Sequence, residues 1–253
     1  MMDTRVQQQP AGSQRPVGVD PKPWGIPAIA VALVVPALLW LVGLIGSIVQ
    51  GSPGNLSNTE IITGLILTIF LDCMFIGLAV WLAIGRYRGS RKDLGLRPFD
   101  RELWWMPLAA AGGAHIAIVI YSVVLQVAGA GGAVPKQDQL DQLFSNPAIL
   151  PLAGFATVIM APLSEEIFFR GFIFGGLIRP LGVAGAMIVS GFIFGAFHIQ
   201  STSSIGLLLP FTLVGVLFAW IYYRTGSILP TIAAHFLFNF VSFIALAAMR
   251  GSS

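Results

Sequence analysis

Charge is what this sequence has least of. Asp, Glu, Lys and Arg make up 10% of its 253 residues while 56% are hydrophobic, against about a quarter charged in an ordinary soluble domain. That shortage excludes a water-soluble globule of this length, and the bilayer must be most of the solvent. Cysteine is nearly absent: Cys73 alone excludes an internal disulfide and a multi-cysteine metal site. There is no His-Glu-x-x-His run, and Ser190-Gly191 lacks the Gly-x-Ser context of a serine nucleophile. The net charge of +3 is spread over loops between apolar stretches, with no continuous patch, so nucleic-acid binding has no support. Residues 1–25 lack apolar periodicity and are polar, rich in Gln, Pro and Gly. They read as a disordered cytoplasmic tail, since a signal peptide would begin its apolar core within a few residues of a basic N-terminus.

What is present is a series of apolar stretches, each near the ~20 residues a helix needs to cross the hydrocarbon core. They lie near Ile26–Val49, Ile61–Ile84, Trp104–Val127, Ala148–Ile178, Leu181–Ile199, Ile205–Tyr223 and Ile228–Met249. The expected fold is an all-α, polytopic transmembrane helix bundle of about seven spans, with eight as the other count. The fourth stretch contains Pro151 and Pro162 and should kink or restart near Pro162, because proline removes a backbone donor and clashes with the preceding turn. The loop between spans two and three holds Arg86, Arg88, Arg91, Lys92, Arg97 and Arg101, whereas the loop 51–60 has no basic residue and 129–147 only Lys136. The positive-inside bias makes the basic loop and the N-terminus cytoplasmic, in a multi-pass protein of the plasma membrane.

Ionisable groups deep in a bilayer are costly and mark function. The last four spans hold Glu165, Glu166, Arg170, His198, His235 and Asn239. Glu166 and Arg170, four apart, share a helix face; their pairing leaves Glu165, rotated by about 100°, to face another partner. His235 and Asn239 share a face in the same way. If Arg179–Gly182 is a tight turn, Glu165 and His198 lie ~20 and ~24 Å from it and sit side by side. His235, only ~10 Å from the Ser227 turn, joins them if the first turn protrudes further or the helices tilt. The pentapeptide Gly-Phe-Ile-Phe-Gly occurs at Gly171–Gly175 and again at Gly191–Gly195. It reads either as a close hairpin gripping the site or as ordinary small-residue packing between membrane helices.

A carboxylate and an imidazole that converge can hold and deprotonate water, while a second imidazole and an amide can stabilise the oxyanion of amide hydrolysis. Glu165, His198 and His235 could instead bind zinc; the residues alone leave both open. Glu-Glu-x-x-x-Arg, Phe-x-x-x-His and His-x-x-x-Asn, each in its own span and in this order, resemble the family of type II CAAX prenyl endopeptidases and bacteriocin-processing or self-immunity (Abi) proteins. The resemblance covers about residues 148–245 and makes 148–249 the catalytic core, with 26–147 as N-terminal transmembrane helices. It implies an intramembrane endopeptidase with Glu165 as the water-activating base and His198 as its partner. His235 and Asn239 would serve the oxyanion or a metal, and Glu166 and Arg170 would support the site. The partner would be a membrane-embedded or lipidated peptide or protein. A non-catalytic binding or immunity protein of the same fold is the alternative. A transporter is a weaker one, since no repeat of spans and no paired broken helices are present.

Outside these motifs, Asp72 and His115 sit at about the same depth, ~17–18 Å from the basic loop at helical rise. The expectation is that they pair and stabilise the fold.

Overall fold

In a computed structural model of the chain the described residues are 19–50, 56–131, 146–199 and 202–250. The first 18 residues of the expected tail, and the loop with Lys136, lie outside them. The helices are α1 (Ile26–Gln50), α2 (Asn58–Val80), α3 (Met106–Val127), α4 (Leu150–Gly154), α5 (Ala161–Glu165), α6 (Gly175–Phe197), α7 (Leu208–Thr225) and α8 (Leu229–Arg250). Two π-helical segments, Phe155–Met160 and Glu166–Phe174, join α4 to α5 and α5 to α6. The described residues contain no strand, and the chain is an all-α polytopic bundle.

Six helical stretches are long and apolar enough to cross a membrane, the longest being Leu150–Phe197 with 48 residues. At 1.5 Å per residue that run would measure ~72 Å, more than twice the hydrocarbon core. It folds back at Gly182, whose φ of 68° and ψ of 173° break the helix in a region open to glycine. The reversal shows in the packing: Phe169 and Phe194, 25 residues apart, bring their rings to 5.3 Å. With that fold-back the six stretches comprise seven helical segments.

Crossing parity is visible in the contacts. Asp72 meets Ser164 and Phe75 meets Phe168; both numbers rise together, so α2 and the fourth span run parallel, as spans two crossings apart must. Glu166 meets His235 while Thr157 meets Asn239, so α8 runs antiparallel to the fourth span. The second glycine pentapeptide lies against α7: a Cβ on Gly191 would fall 2.8 Å from Val216 Cγ2, and one on Gly195 2.6 Å from Thr212 Oγ1. The first lies elsewhere. A Cβ on Gly171 would fall 2.6 Å from the Leu94 carbonyl oxygen, and one on Gly175 3.1 Å from Lys22. The two pentapeptides thus grip different elements rather than each other.

The helical pattern changes where the proline was expected to act. A π segment, Phe155–Met160, ends just before Pro162, and α5 begins at Ala161 with the proline in its first turn. The π segment shifts the hydrogen-bond register, so that the Ala161 N–H bonds to the Ala156 carbonyl, and the backbone stays right-handed through the junction.

Residues 19–25, expected in the tail, are packed. Trp24 is 1% exposed, stacks on Phe172 at 5.5 Å and donates its indole N–H to the Phe172 carbonyl at 2.9 Å. The basic loop is folded too. The Ile228 N–H donates to the Gly95 carbonyl at 3.0 Å, the Ser227 hydroxyl to the Arg97 carbonyl at 2.5 Å, and the Arg97 Nε–H to the Gly226 carbonyl. Loop and N-terminal segment together brace the π-helix that begins with Glu166.

Candidate active site

Three elements carry the chemistry. The π segment after α5 supplies Glu166 and Arg170, with Glu165 ending α5. The end of α6 supplies His198, and the first half of α8 supplies His235 and Asn239.

Glu166 is the buried hub, with no exposed surface. Its Oε1 lies 3.0 Å from Arg170 Nη1, an ion-pair contact, and 2.9 Å from His235 Nδ1. Arg170 is buried as well, its guanidinium 4.2 Å from the centre of the Phe194 ring and 5.3 Å from that of Phe218, a setting that suits a desolvated cation. An ionised carboxylate only accepts, so His235 Nδ1 carries the hydrogen in that bond and Nε2 faces the other way. It faces Glu165: Nε2 to Oε2 is 3.9 Å. The pairing of Glu166 with Arg170 read from the spacing is present, and so is the release of Glu165 toward a different partner.

That partner differs from the expected one. Among the described residues Glu165 and His198 form no hydrogen bond or ion pair; the imidazole beside Glu165 belongs to His235. His198 Nδ1 donates to the Phe194 carbonyl at 2.8 Å, and its ring stacks on Phe211 at 4.1 Å and packs on Phe194 at 4.5 Å. Phe194 also packs against His235, with ring centres 6.0 Å apart, so the two imidazoles flank one phenylalanine. Sequence spacing gives depth along a helix but not the face that a neighbour occupies, which is why two histidines at similar depth exchange places.

Asn239 lies one turn beyond His235, as its spacing requires, but its amide donates at 2.7 Å to the Thr157 carbonyl. That carbonyl is the one which the register shift and Pro162 leave without a backbone donor. The expected pair of Asp72 and His115 does not form. His115 donates through Nδ1 to the Ala111 carbonyl at 2.8 Å, and its Nε2 lies 3.2 Å from Ser242 Oγ. Asp72 accepts from the Ser164 hydroxyl at 2.5 Å. The two side chains meet different helices.

Exposure sorts the members. Glu166, Arg170 and His235 are sealed, while the Glu165 side chain is 16% exposed and His198 is half-buried. The two partly open groups are those that a substrate can reach. Sealed polar atoms with no hydrogen-bond partner include Glu165 Oε2, Glu166 Oε2 and Asp72 Oδ2. Among the described residues no three His, Cys, Asp or Glu side chains are gathered as metal ligands. His235 is tied through Nδ1 to Glu166 and His198 through Nδ1 to a carbonyl, which leaves the Nε2 of each free.

A polytopic helical bundle with carboxylates and imidazoles sealed between its helices is an integral membrane protein with a polar cluster in its interior. Comparison with known proteins points to a family. Residues 147–241 match the family described as type II CAAX prenyl endopeptidase Rce1-like. The Bacillus subtilis (strain 168) protein named "Putative membrane peptidase YdiL" is 28% identical over 227 residues, covering 87% of this chain and 85% of that protein. No solved structure matches. Over residues 147–241 the chain is thus similar to the Rce1-like CAAX prenyl endopeptidase family, and over most of its length to a protein named as a membrane peptidase.

Proposed function

We propose that the protein is an intramembrane endopeptidase in which Glu165 is the base that activates water against a peptide bond of a membrane-embedded or lipidated substrate. The carrying observation is the division of labour between adjacent glutamates. Glu166 has its charge committed to Arg170 and His235, whereas Glu165 is partly exposed, with His235 Nε2 3.9 Å from its Oε2. A carboxylate whose neighbour already neutralises the local cation is the one left to take a proton.

Glu165 removes a proton from water as the oxygen attacks the carbonyl carbon. The electron pair of the carbonyl moves to oxygen, while His198, its Nδ1–H held by the Phe194 carbonyl, offers Nε2 to the attacking water as the partner of Glu165. Glu165 then passes the proton to the departing amine as the C–N bond breaks. His235, held by Glu166 through Nδ1–H, stands beside Glu165 with Nε2 3.9 Å from its Oε2. Asn239 acts through the helix it braces. No step is assigned to a metal. The density of basic residues between spans two and three supports a cytoplasmic N-terminus in the plasma membrane.

The test is hydrolysis of a panel of fluorogenic peptides, transmembrane and prenylated, by protein in lipid nanodiscs. Wild type should cleave at least one peptide and Glu165→Gln none, with a chelator leaving the rate unchanged. A wild-type rate no higher than that of Glu165→Gln would overturn the assignment. Loss of activity on chelation and its return with zinc would replace the metal-free step.

A further inference from the structure

The second span lies outside the segment matched by the family, yet it delivers an acid to the site. Asp72 is 3% exposed and accepts from the hydroxyl of Ser164, the residue immediately before Glu165. One turn further along α2, Phe75 stacks on Phe168 at 4.4 Å and meets Phe169 edge-on at 5.6 Å. Those aromatic contacts fix which face of α2 meets the fourth span, and so fix where Asp72 points. Asp72 Oδ2 and Glu165 Oε2 are both sealed without a hydrogen-bond partner. An amide at this position would accept the same serine bond with no charge to desolvate. Packing alone therefore does not account for a carboxylate here.

We propose that Asp72 is a positioning residue of the hydrolytic site, holding the Glu165 helix in register through Ser164 and turning the Glu165 carboxylate by like-charge repulsion toward His235 Nε2 and the partly open side. The inference rests on Glu165 being the base. It also makes the N-terminal half of the chain part of the catalytic apparatus and not only its membrane anchor.

The experiment compares wild type, Asp72→Asn, Ser164→Ala, the double variant and Glu165→Gln on the most rapidly cleaved peptide of the panel. Values of kcat and KM are measured separately per folded protein, alongside the thermal midpoint. Asp72→Asn keeps an acceptor of nearly the same shape and loses the charge. Its kcat should fall by about ten-fold or more, with KM within about two-fold of wild type and the midpoint unchanged, a split that a merely structural role would not give. Ser164→Ala should lower kcat as well, and the double variant should be no slower than the slower single one, because both act along one path. Wild-type kcat in Asp72→Asn, a loss explained by less folded protein, or multiplying effects in the double variant would overturn the proposal. An active Glu165→Gln would overturn the base assignment itself and is distinguishable from all three.

Discussion

Asn239 donates its side-chain amide to the carbonyl of Thr157 across 2.7 Å, and the cause lies in a third residue. Pro162 has no N–H to give, and the π-turn before it sends the Ala161 N–H to Ala156. Thr157 is left with an acceptor that no backbone group in its own helix fills. In the apolar interior of a membrane protein such an acceptor must find a donor elsewhere, and α8 supplies one.

Asn239→Ala should therefore lower stability by about 1–3 kcal/mol, the cost of stranding a buried acceptor. Pro162→Ala restores an N–H one turn away, so the loss from Asn239→Ala should shrink in that background. Thermal unfolding of the four proteins in one detergent measures the coupling. Strictly additive midpoints would mean that the amide and the proline are unrelated.

Among the described residues Arg170 is the cation that pairs with the Glu166 carboxylate, and both are sealed. Removing one partner of such a pair leaves an uncompensated charge and costs about 3–5 kcal/mol, whereas neutralising both is far milder. Arg170→Ala should lose folded protein as well as activity. Glu166→Gln combined with Arg170→Gln should be closer to wild type in stability than either single glutamine variant. Equal losses in all three, read by detergent melts, would sink the pairing.

The extent to which the sequence foretells this arrangement depends on the kind of information each feature needs. Apolar run length is local, so the spans and the reversal near Gly182 can be read directly. The 4-residue spacing of Glu166 and Arg170, or of His235 and Asn239, is also local and fixes a shared face. What a face meets is not local. Glu165 faces His235 where His198 was expected, and Asp72 faces Ser164 where His115 was expected. Which partner a side chain meets depends on how the helices are rotated and packed against one another, which no spacing within one helix sets. The burial of Trp24 was hidden for another reason. A tryptophan among Pro and Gly carries no periodic signal, and its docking site exists only once the Phe172 carbonyl is presented by the π-helix.

Gly191 sits where α6 and α7 touch backbone to backbone; a Cβ there would lie 2.8 Å from Val216 Cγ2 and 2.9 Å from the Thr212 carbonyl oxygen. Neither backbone can yield without separating the helices. His198 lies two turns further along α6 and stacks on Phe211 of α7, so separation moves it. Gly191→Ala should cost about 1–3 kcal/mol as overpacking and reduce activity beyond the loss of folded protein. Gly112→Ala is the control, because nothing lies within 4 Å of its added Cβ; it should be neutral or stabilising by up to about 1 kcal/mol. A Gly191→Ala protein as stable and active as that control would show the helix contact to be looser than described.

Lys22, outside the spans, is 7% exposed beside the glycine of the first pentapeptide, with its Nζ 3.8 Å from an Asp93 oxygen. Burial pushes its pKa below the usual 10.5, and the Asp93 carboxylate offsets only part of that. Between the lowered folded value and the ordinary unfolded one, the unfolded chain binds more protons than the folded one. Stability must then rise with pH through that window, and the burial cost is greatest below it. The thermal midpoint of wild type should therefore gain, relative to Lys22→Met, as pH is raised from about 8 to about 10. Lys22→Met should itself be no less stable than wild type near neutrality, since it fills the same space without a charge to desolvate. A midpoint difference between the two proteins that stays constant across the range would show that Lys22 titrates normally, and that the N-terminal segment opens to water before the helices melt.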